Sequence, residues 1–332
     1  MSRADKLGSL GSMFERSVQG RTLILDADFP AYQAAATVKK LTTAVSRFQT
    51  LVETERFVVG AERVEVHITQ SKCTKCRRFD YPTAKPYQAN RDKAVRPALL
   101  MPLREHIATA EWPEHWSVFV WQDREADDGM MMQAVRHGHN GVISSGDKDL
   151  CITPGPYLRR DLGVIDRIDN RFGWIAETFT DGGTRKVEGH GTKFFWAQML
   201  MGDTADNVQG IRRYDGALCG PRGALDVLLD VHDESEAANI VLRAYAKIQQ
   251  DPLAEAQCLW LRRSNDDCAY RYLTELDLAP DLRGWIDSLH QYHQEYLAYV
   301  AAMRDLDNGY EPIESAGTET SGTSGGLDLP WE

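Results

Sequence analysis

Along the first 150 residues, short apolar runs alternate with stretches of helical spacing, and most runs stop at acidic residues. Residues 21–28 (around Leu23-Ile-Leu25), 64–69, 116–121 and 141–143 have the length and β-branched content of buried strands. Between them, residues 31–40 and 125–137 read as helices returning along a sheet, with Met130 to Met132 and Val135 at core spacing. This alternation predicts an α/β fold, a twisted and mostly parallel sheet flanked by helices. Residues 157–179 read as short strands or a hairpin, and Gly182, Gly183, Gly189 and Gly191 as a flexible passage. From Thr192 the pattern is helical. Phe194, Phe195, Met199 and Leu200 form one face ending at Gly202, and further helices are expected from Gly220-Pro-Arg-Gly-Ala224, over 236–250 and over 283–304.

The chemistry gathers where the strands end. In a parallel α/β sheet, sites form just past the carboxyl ends of the strands. There the chain places Asp26 and Asp28, Glu125-Ala-Asp-Asp128, and Ser144-Ser-Gly-Asp-Lys-Asp-Leu150 with Asp147 and Asp149; Asp203 and Asp206 follow the helix ending at Gly202. Carboxylates this close repel, so they need a cation between them or raised pKa values. Four such clusters point to one divalent-metal site, although acids in a first helical turn also serve as caps. An oxygen-rich, His-poor donor set suits Mg²⁺.

Charge sharpens the picture. The net charge of −11 opposes binding to a polyanion, but its distribution does not. Residues 72–104 carry nine basic residues, Lys72, Lys75, Arg77, Arg78, Lys85, Arg91, Lys93, Arg96 and Arg104, against Asp80 and Asp92. Phe79, Tyr81 and Tyr87 are interleaved, and prolines at 82, 86, 97 and 102 break the segment. A projecting basic and aromatic loop suits a single-stranded backbone whose bases stack; a plain solvated loop is the alternative. Residues 305–332 hold seven acids and no Lys or Arg, a composition expected to be disordered. Cys73-Thr-Lys-Cys76 has zinc-knuckle spacing but no second pair at a usual distance, so the six cysteines are expected to be free thiols. The sequence shows neither a long apolar span nor a signal-peptide core, and a cytoplasmic location is expected.

Asp26, Tyr87-Gln-Ala-Asn-Arg91, Glu125-Ala-Asp-Asp128, Ser145-Gly-Asp-Lys-Asp-Leu150 and Gly202-Asp-Thr-Ala-Asp-Asn-Val-Gln-Gly-Ile211, followed by Gly220-Pro-Arg-Gly-Ala224, occur in the order seen in the 5′-nuclease superfamily. The chain most resembles the short bacteriophage 5′–3′ exonucleases and flap endonucleases of that group, over roughly residues 20 to 250. The resemblance implies a 5′-nuclease (PIN-like) core, a helical arch over the active site and a helix-turn-helix variant that grips duplex DNA. It implies two Mg²⁺ ions, with Mn²⁺ as a substitute. Asp26, Glu125, Asp127, Asp128 and Asp147 would surround the first ion, and Asp149, Asp203 and Asp206 the second, with Asp26, Glu125, Asp127, Asp147 and Asp149 as the catalytic set. Lys85, Tyr87, Arg91 and Lys93 would contact DNA from the arch, and Gly210, Gly220 and Arg222 from the duplex-binding turn, where K⁺ is a further expected ion.

The organisation implied is a lead-in over 1–20, a nuclease core over 21–180 with its arch at 71–104, a helical DNA-binding region over 190–304 and the acidic tail. A monomeric exonuclease of phage replication or recombination is expected. Its substrate would be DNA with a free or single-stranded 5′ end, extending to flaps and RNA–DNA hybrid primers; the tail would be an inert solvated segment or a docking peptide for a replication protein. A PIN-like ribonuclease and a non-catalytic binder of branched DNA are the alternatives. Two positions depart from the family: Thr69 stands where the second strand usually ends in Asp, and Gln88 where Lys usually follows the arch Tyr. Lys85 and Lys93 are near enough in sequence to replace that Lys.

Overall fold

The structure is a computed structural model; it describes residues 17–90, 96–180 and 182–309, with side chains to residue 306. Its centre is a six-stranded sheet built from β1 (Val18–Asp26), β2 (Ala61–Thr69), β3 (Trp116–Trp121), β4 (Gly141–Ser144), β5 (Gly155–Arg159) and β6 (Val164–Ile168), in the order β3-β2-β1-β4-β5-β6. The first five are parallel, and β6 pairs antiparallel with β5. Asp26 pairs in register with His67, and His67 with Phe119, so neighbouring strands end at one edge. The expected α/β sheet is therefore present.

β1 is buried on both faces, which is why its sequence reads as a continuous apolar run. Leu23 and Leu25 point into one core with Phe48, Val52, Val64, Val66 and Leu103. Ile24 points into the other, with Met130, Met131, Ile143, Phe194, Phe195, Tyr245 and Trp260. Each large apolar side chain so buried contributes roughly 1.5–3 kcal/mol.

The first core is covered by α1 (Asp28–Ala35), α2 (Leu41–Val59) and α3 (Leu100–Thr109). Helix α2 has no counterpart in the sequence reading; its buried face is carried only by Ala44, Phe48, Val52 and Val59 among Thr, Ser, Gln and Glu. The second core is covered by α4 (Ala126–His137), whose Gly129 lets it lie on the sheet. A Cβ there would stand 2.1 Å from the Trp121 ring.

β7 (Trp174–Phe179) lies in the stretch expected to hold short strands, and β8 (Arg185–His190), where a flexible passage was expected, pairs with it as an antiparallel hairpin. Then come α5 (Thr192–Met201), α6 (Pro221–Leu228), α7 (Glu234–Lys247), α8 (Pro252–Leu259), α9 (Ala269–Thr274) and the 30-residue α10 (Pro280–Gly309). β1 begins inside the stretch expected to be a loose lead-in, and α10 runs past its expected end. The tail beyond residue 309 lies outside the described residues. Among the described residues no helix is long and apolar enough to cross a membrane.

Candidate active site at the carboxyl ends of the strands

A cleft of about 430 Å³ opens where β1, β2 and β4 end. Its walls carry Asp26, Asp28, Thr69, Lys75, Arg96, Arg104, Glu125, Asp127, Asp147 and Asp206. Acids scattered over 180 residues of sequence thus meet in one hollow. Asp26 closes β1, and its two oxygens accept from the Asp28 N–H (2.9 Å) and the Ser145 hydroxyl (3.0 Å). Asp147 starts a 3-10 turn over Lys148–Ile152 by accepting the Asp149 N–H at 2.9 Å. Gln198 on α5 links the two remaining acids, donating through Nε2 to Asp149 Oδ1 (2.8 Å) and Asp203 Oδ2 (3.3 Å).

The acids fall into two electrostatic groups. Burial and mutual repulsion push the carboxyls of Asp127, Asp147 and Asp149 up from their usual range; Asp127 is surrounded by Asp147, Asp26, Glu125 and Asp128. Burial also raises Asp26, against the opposing pull of Ser145 and Arg160. Glu125 goes the other way. Burial opposes its ionisation, yet Arg78 and Lys75, with hydrogen bonds from Lys75 and Tyr87, bring it down to about 2.

Glu125 receives Lys75 Nζ (2.9 Å) and Gln88 Nε2 (3.1 Å) on one oxygen, and Arg78 Nη1 (3.1 Å) and the Tyr87 hydroxyl (2.7 Å) on the other. Asp128, predicted as a metal ligand, does not line the cleft. It is fully buried, its two oxygens accept from the Arg78 guanidinium at 2.7 Å each, and it forms a capping box with Glu125 at the start of α4. Its place is structural, because both oxygens are already used. The cation that meets Gln88 is Lys75, whose ammonium contacts Gln88 Oε1; Lys85 is exposed at the surface. The absent acid on β2 also has a local account: Thr69 Oγ1 accepts the Ala126 N–H at 2.8 Å and so caps α4.

The basic count of the 72–104 segment overstates what is free for a polyanion. Arg77 and Arg78 are bound internally to Asp80 and Asp128. Lys75 and Arg104 are paired with Glu125 and Asp28, but both line the cleft. Arg96 lines the cleft, while Arg91 and Lys93 lie outside the described residues.

Residues 84–90 are fastened to the 203–210 loop. The Gln88 N–H donates to Asp206 O (2.8 Å), Gln88 Nε2 to the Asp206 carboxylate (2.8 Å) and Asn207 Nδ2 to Pro86 O (2.7 Å), and the Tyr87 hydroxyl oxygen lies 3.2 Å from the Asp206 carboxylate. Buried Glu255 accepts the Ala84 N–H (2.7 Å) and the Gly210 N–H (3.2 Å). Gly210 is therefore not a surface contact. Its φ is +67°, a Cβ would stand 2.5 Å from Gly202 N, and its carbonyl accepts from Gln250 Nε2. Gly220 caps α6, and Arg222 stands exposed in its first turn, 3.7 Å from Asp226. All six cysteines are free thiols.

The donor chemistry fits divalent ions. Asp26, Asp127 and Asp147 offer oxygens on one side and Asp149 and Asp203 on the other. Gln198 Oε1 is buried without a hydrogen-bond partner among the described residues. The carboxylates stand apart: among the described residues no three His, Cys, Asp or Glu side chains form a closed ion cage.

No protein-family model matches this chain, and no curated protein does. Among solved structures it is similar to the bacteriophage T5 5′-exonuclease with zinc ions bound, at 15% identity over 84% of this chain and 99% of that one, TM-score 0.42. It is similar to the bacteriophage T5 flap endonuclease in complex with DNA and metal ions, at 14% identity over 77% of this chain and 97% of that one, TM-score 0.40. The catalytic core of Rad2 in complex with DNA substrate follows at 12% identity over 66% of each chain, TM-score 0.33. These likenesses are distant, and the chemistry of the cleft stands on its own residues. What the chain is similar to, among solved structures, are 5′-exonucleases and flap endonucleases.

Proposed function

We propose that the chain is a divalent-metal-dependent 5′–3′ exonuclease that hydrolyses phosphodiester bonds of DNA from a free or single-stranded 5′ end, with flap cutting and RNA-primer removal as extensions. The observation that carries this reading is the meeting of Asp26, Asp127 and Asp147 in one cleft, under-compensated and at the ends of parallel strands. Asp26, Asp127 and Asp147 would hold one Mg²⁺, and Asp149, Asp203 and Asp206 a second; Mn²⁺ would serve in its place. Two such ions supply an activated water, a stabilised leaving oxygen and neutralised phosphoryl charge.

The chain's own groups do the rest. Arg96 and Arg104 at the cleft wall offset the phosphate charge as it enters beside the carboxylates. Glu125, held ionised by Arg78 and Lys75, sets the start of α4 and hence the direction of Asp127. Gln198 orients Asp149 and Asp203 relative to each other. Arg222 and the first turn of α6, which no side chain caps, offer an exposed cation and a helix N-terminus to a duplex phosphate, and K⁺ at that turn belongs to the same reading. A replication or recombination role in a phage-infected cytoplasm, a monomeric state and a partner for the acidic tail complete it.

The test uses 5′-labelled and 3′-labelled duplex, flap and RNA–DNA hybrid substrates, with and without Mg²⁺. Mg²⁺-dependent release from 5′ ends supports the reading, and degradation only from 3′ ends refutes it.

A further inference from the structure

Lys75 reaches the cleft by an unusual route. Lys75, Cys76 and Arg77 are three consecutive non-glycine residues with positive φ, at 49°, 53° and 65°. Each costs about 1–2 kcal/mol relative to the right-handed form, so the run persists only where its surroundings impose it. The imposing contacts are visible. The Cys76 N–H donates to Asp123 O (2.6 Å), Arg77 Nη2 to Leu297 O on α10 (2.6 Å), and Arg77 Nε to Asp80 (3.0 Å). Asp80 is in turn held by Arg304 of α10, at 2.9 Å from Nη1 to Oδ2. Right after this braced turn the chain carries Arg78 into the buried pair with Asp128.

The outcome is an ammonium in the wall of the acidic cleft, with its side chain only 17% exposed. Of its three donors, one goes to Glu125 Oε1 and one to Gln88 Oε1; the Phe79 ring centre stands 5.5 Å from the ammonium, and among the described residues the third donor meets no oxygen acceptor.

Resting on the nuclease reading above, we propose that Lys75 is a catalytic residue whose ammonium contacts the substrate phosphate, and that Asp80 and Arg304 are positioning residues through which the C-terminal helix keeps it there. A lysine fixed among carboxylates meets an entering phosphate without reorganising, which is the condition under which a single donor matters most. A role limited to neutralising Glu125 would need no donor left over and would leave phosphate affinity unchanged.

The experiment compares full-length wild type with Lys75→Met, Lys75→Arg, Arg304→Met and the Lys75→Met/Arg304→Met double variant. Cleavage of a 5′-flap DNA is measured at saturating Mg²⁺, and binding of the same DNA without metal is measured across a salt series, with melting temperature as the folding control. Lys75→Met is expected to lower kcat about a hundredfold and to reduce the salt slope of binding by about 0.7–0.9, with Lys75→Arg recovering part of both. Arg304→Met is expected to lower kcat about tenfold through misplacement, and to cost nothing further in the double variant. An unchanged kcat and salt slope in Lys75→Met, with an active wild type, overturns the role of Lys75 and leaves the nuclease reading intact. Additive losses overturn the positioning by α10. A wild type that cuts nothing refutes the nuclease reading, and the salt slope then decides alone whether Lys75 meets phosphate.

Discussion

Glu125 and Asp127 stand two residues apart at the start of one helix and carry opposite electrostatic loads. Glu125 is saturated by Lys75, Gln88, Arg78 and Tyr87 and held at about 2, while burial and four neighbouring acids push Asp127 up. A cation brought to this cleft gains more from Asp127 than from Glu125, because Glu125 already has its counter-charges.

Removing an under-compensated acid should therefore stop chemistry without loosening DNA. Asp147→Ala is expected to lower the hydrolysis rate roughly a thousandfold while metal-free DNA binding holds or tightens, since one carboxylate repels the phosphates less. Near-normal turnover would place the catalytic centre elsewhere. Single-turnover cleavage and fluorescence anisotropy measure the two halves.

Thr69 lines the same cleft and already caps α4 through its hydroxyl. Asp accepts the same N–H at a helix start and adds an oxygen ligand. Thr69→Asp should reduce the Mg²⁺ concentration at half-maximal rate severalfold, by adding charge to the ligand set. An increased requirement would mean that the new carboxylate is spent on the cap or on Arg104.

The Asp80 contacts predict a pH signature of stability. Burial opposes ionisation of Asp80, but hydrogen bonds from Arg304 and Arg77 outweigh it and hold the carboxyl below its usual range. A depressed folded-state pKa gives stability that is complete above the unfolded value of about 3.9 and is lost as pH falls through the folded value. Because Arg304 is largely exposed, Asp80→Asn should cost only about 1 kcal/mol at neutral pH. Melting curves of the two proteins should converge as the pH drops below 4, and a constant gap would contradict the ion-pair account.

Gly210→Ala tests the packing of the 203–210 loop. The added Cβ would meet the Gly202 backbone at 2.5 Å in a left-handed conformation, and neither partner is a flexible side chain. A loss of about 2 kcal/mol or more is expected, read as a melting temperature lower by several degrees. Gly216, also at positive φ but with open space around it, supplies the comparison, since Gly216→Ala should cost less.

The sheet was legible because its chemistry is local. β-branched runs mark β1, β2, β3 and β4, and each stops at the edge where the site forms. Helix α2 was not legible, because a surface helix with four buried residues and no side-chain cap leaves little periodic signal. Asp26, Asp127, Asp147 and Asp206 could be placed together from spacing at strand and helix ends. The fate of Asp128 could not, since it depends on Arg78, fifty residues away in sequence. The delivery of Lys75 was invisible for a different reason: no residue type announces a left-handed turn made without glycine.

The ties between residues 84–90 and 203–210 make these two loops one mechanical part. Loops are usually where a protein yields, yet here Glu255, Asp206 and Asn207 pin one loop to the other. A load applied at the exposed first turn of α6 would travel along the chain to Asp206 and on to Tyr87 and Glu125, so it would arrive at the carboxylates without first crossing the sheet. Residues 84–90 and the 203–210 loop can then shift only in concert, and any opening that admits a ligand must hinge outside this pair.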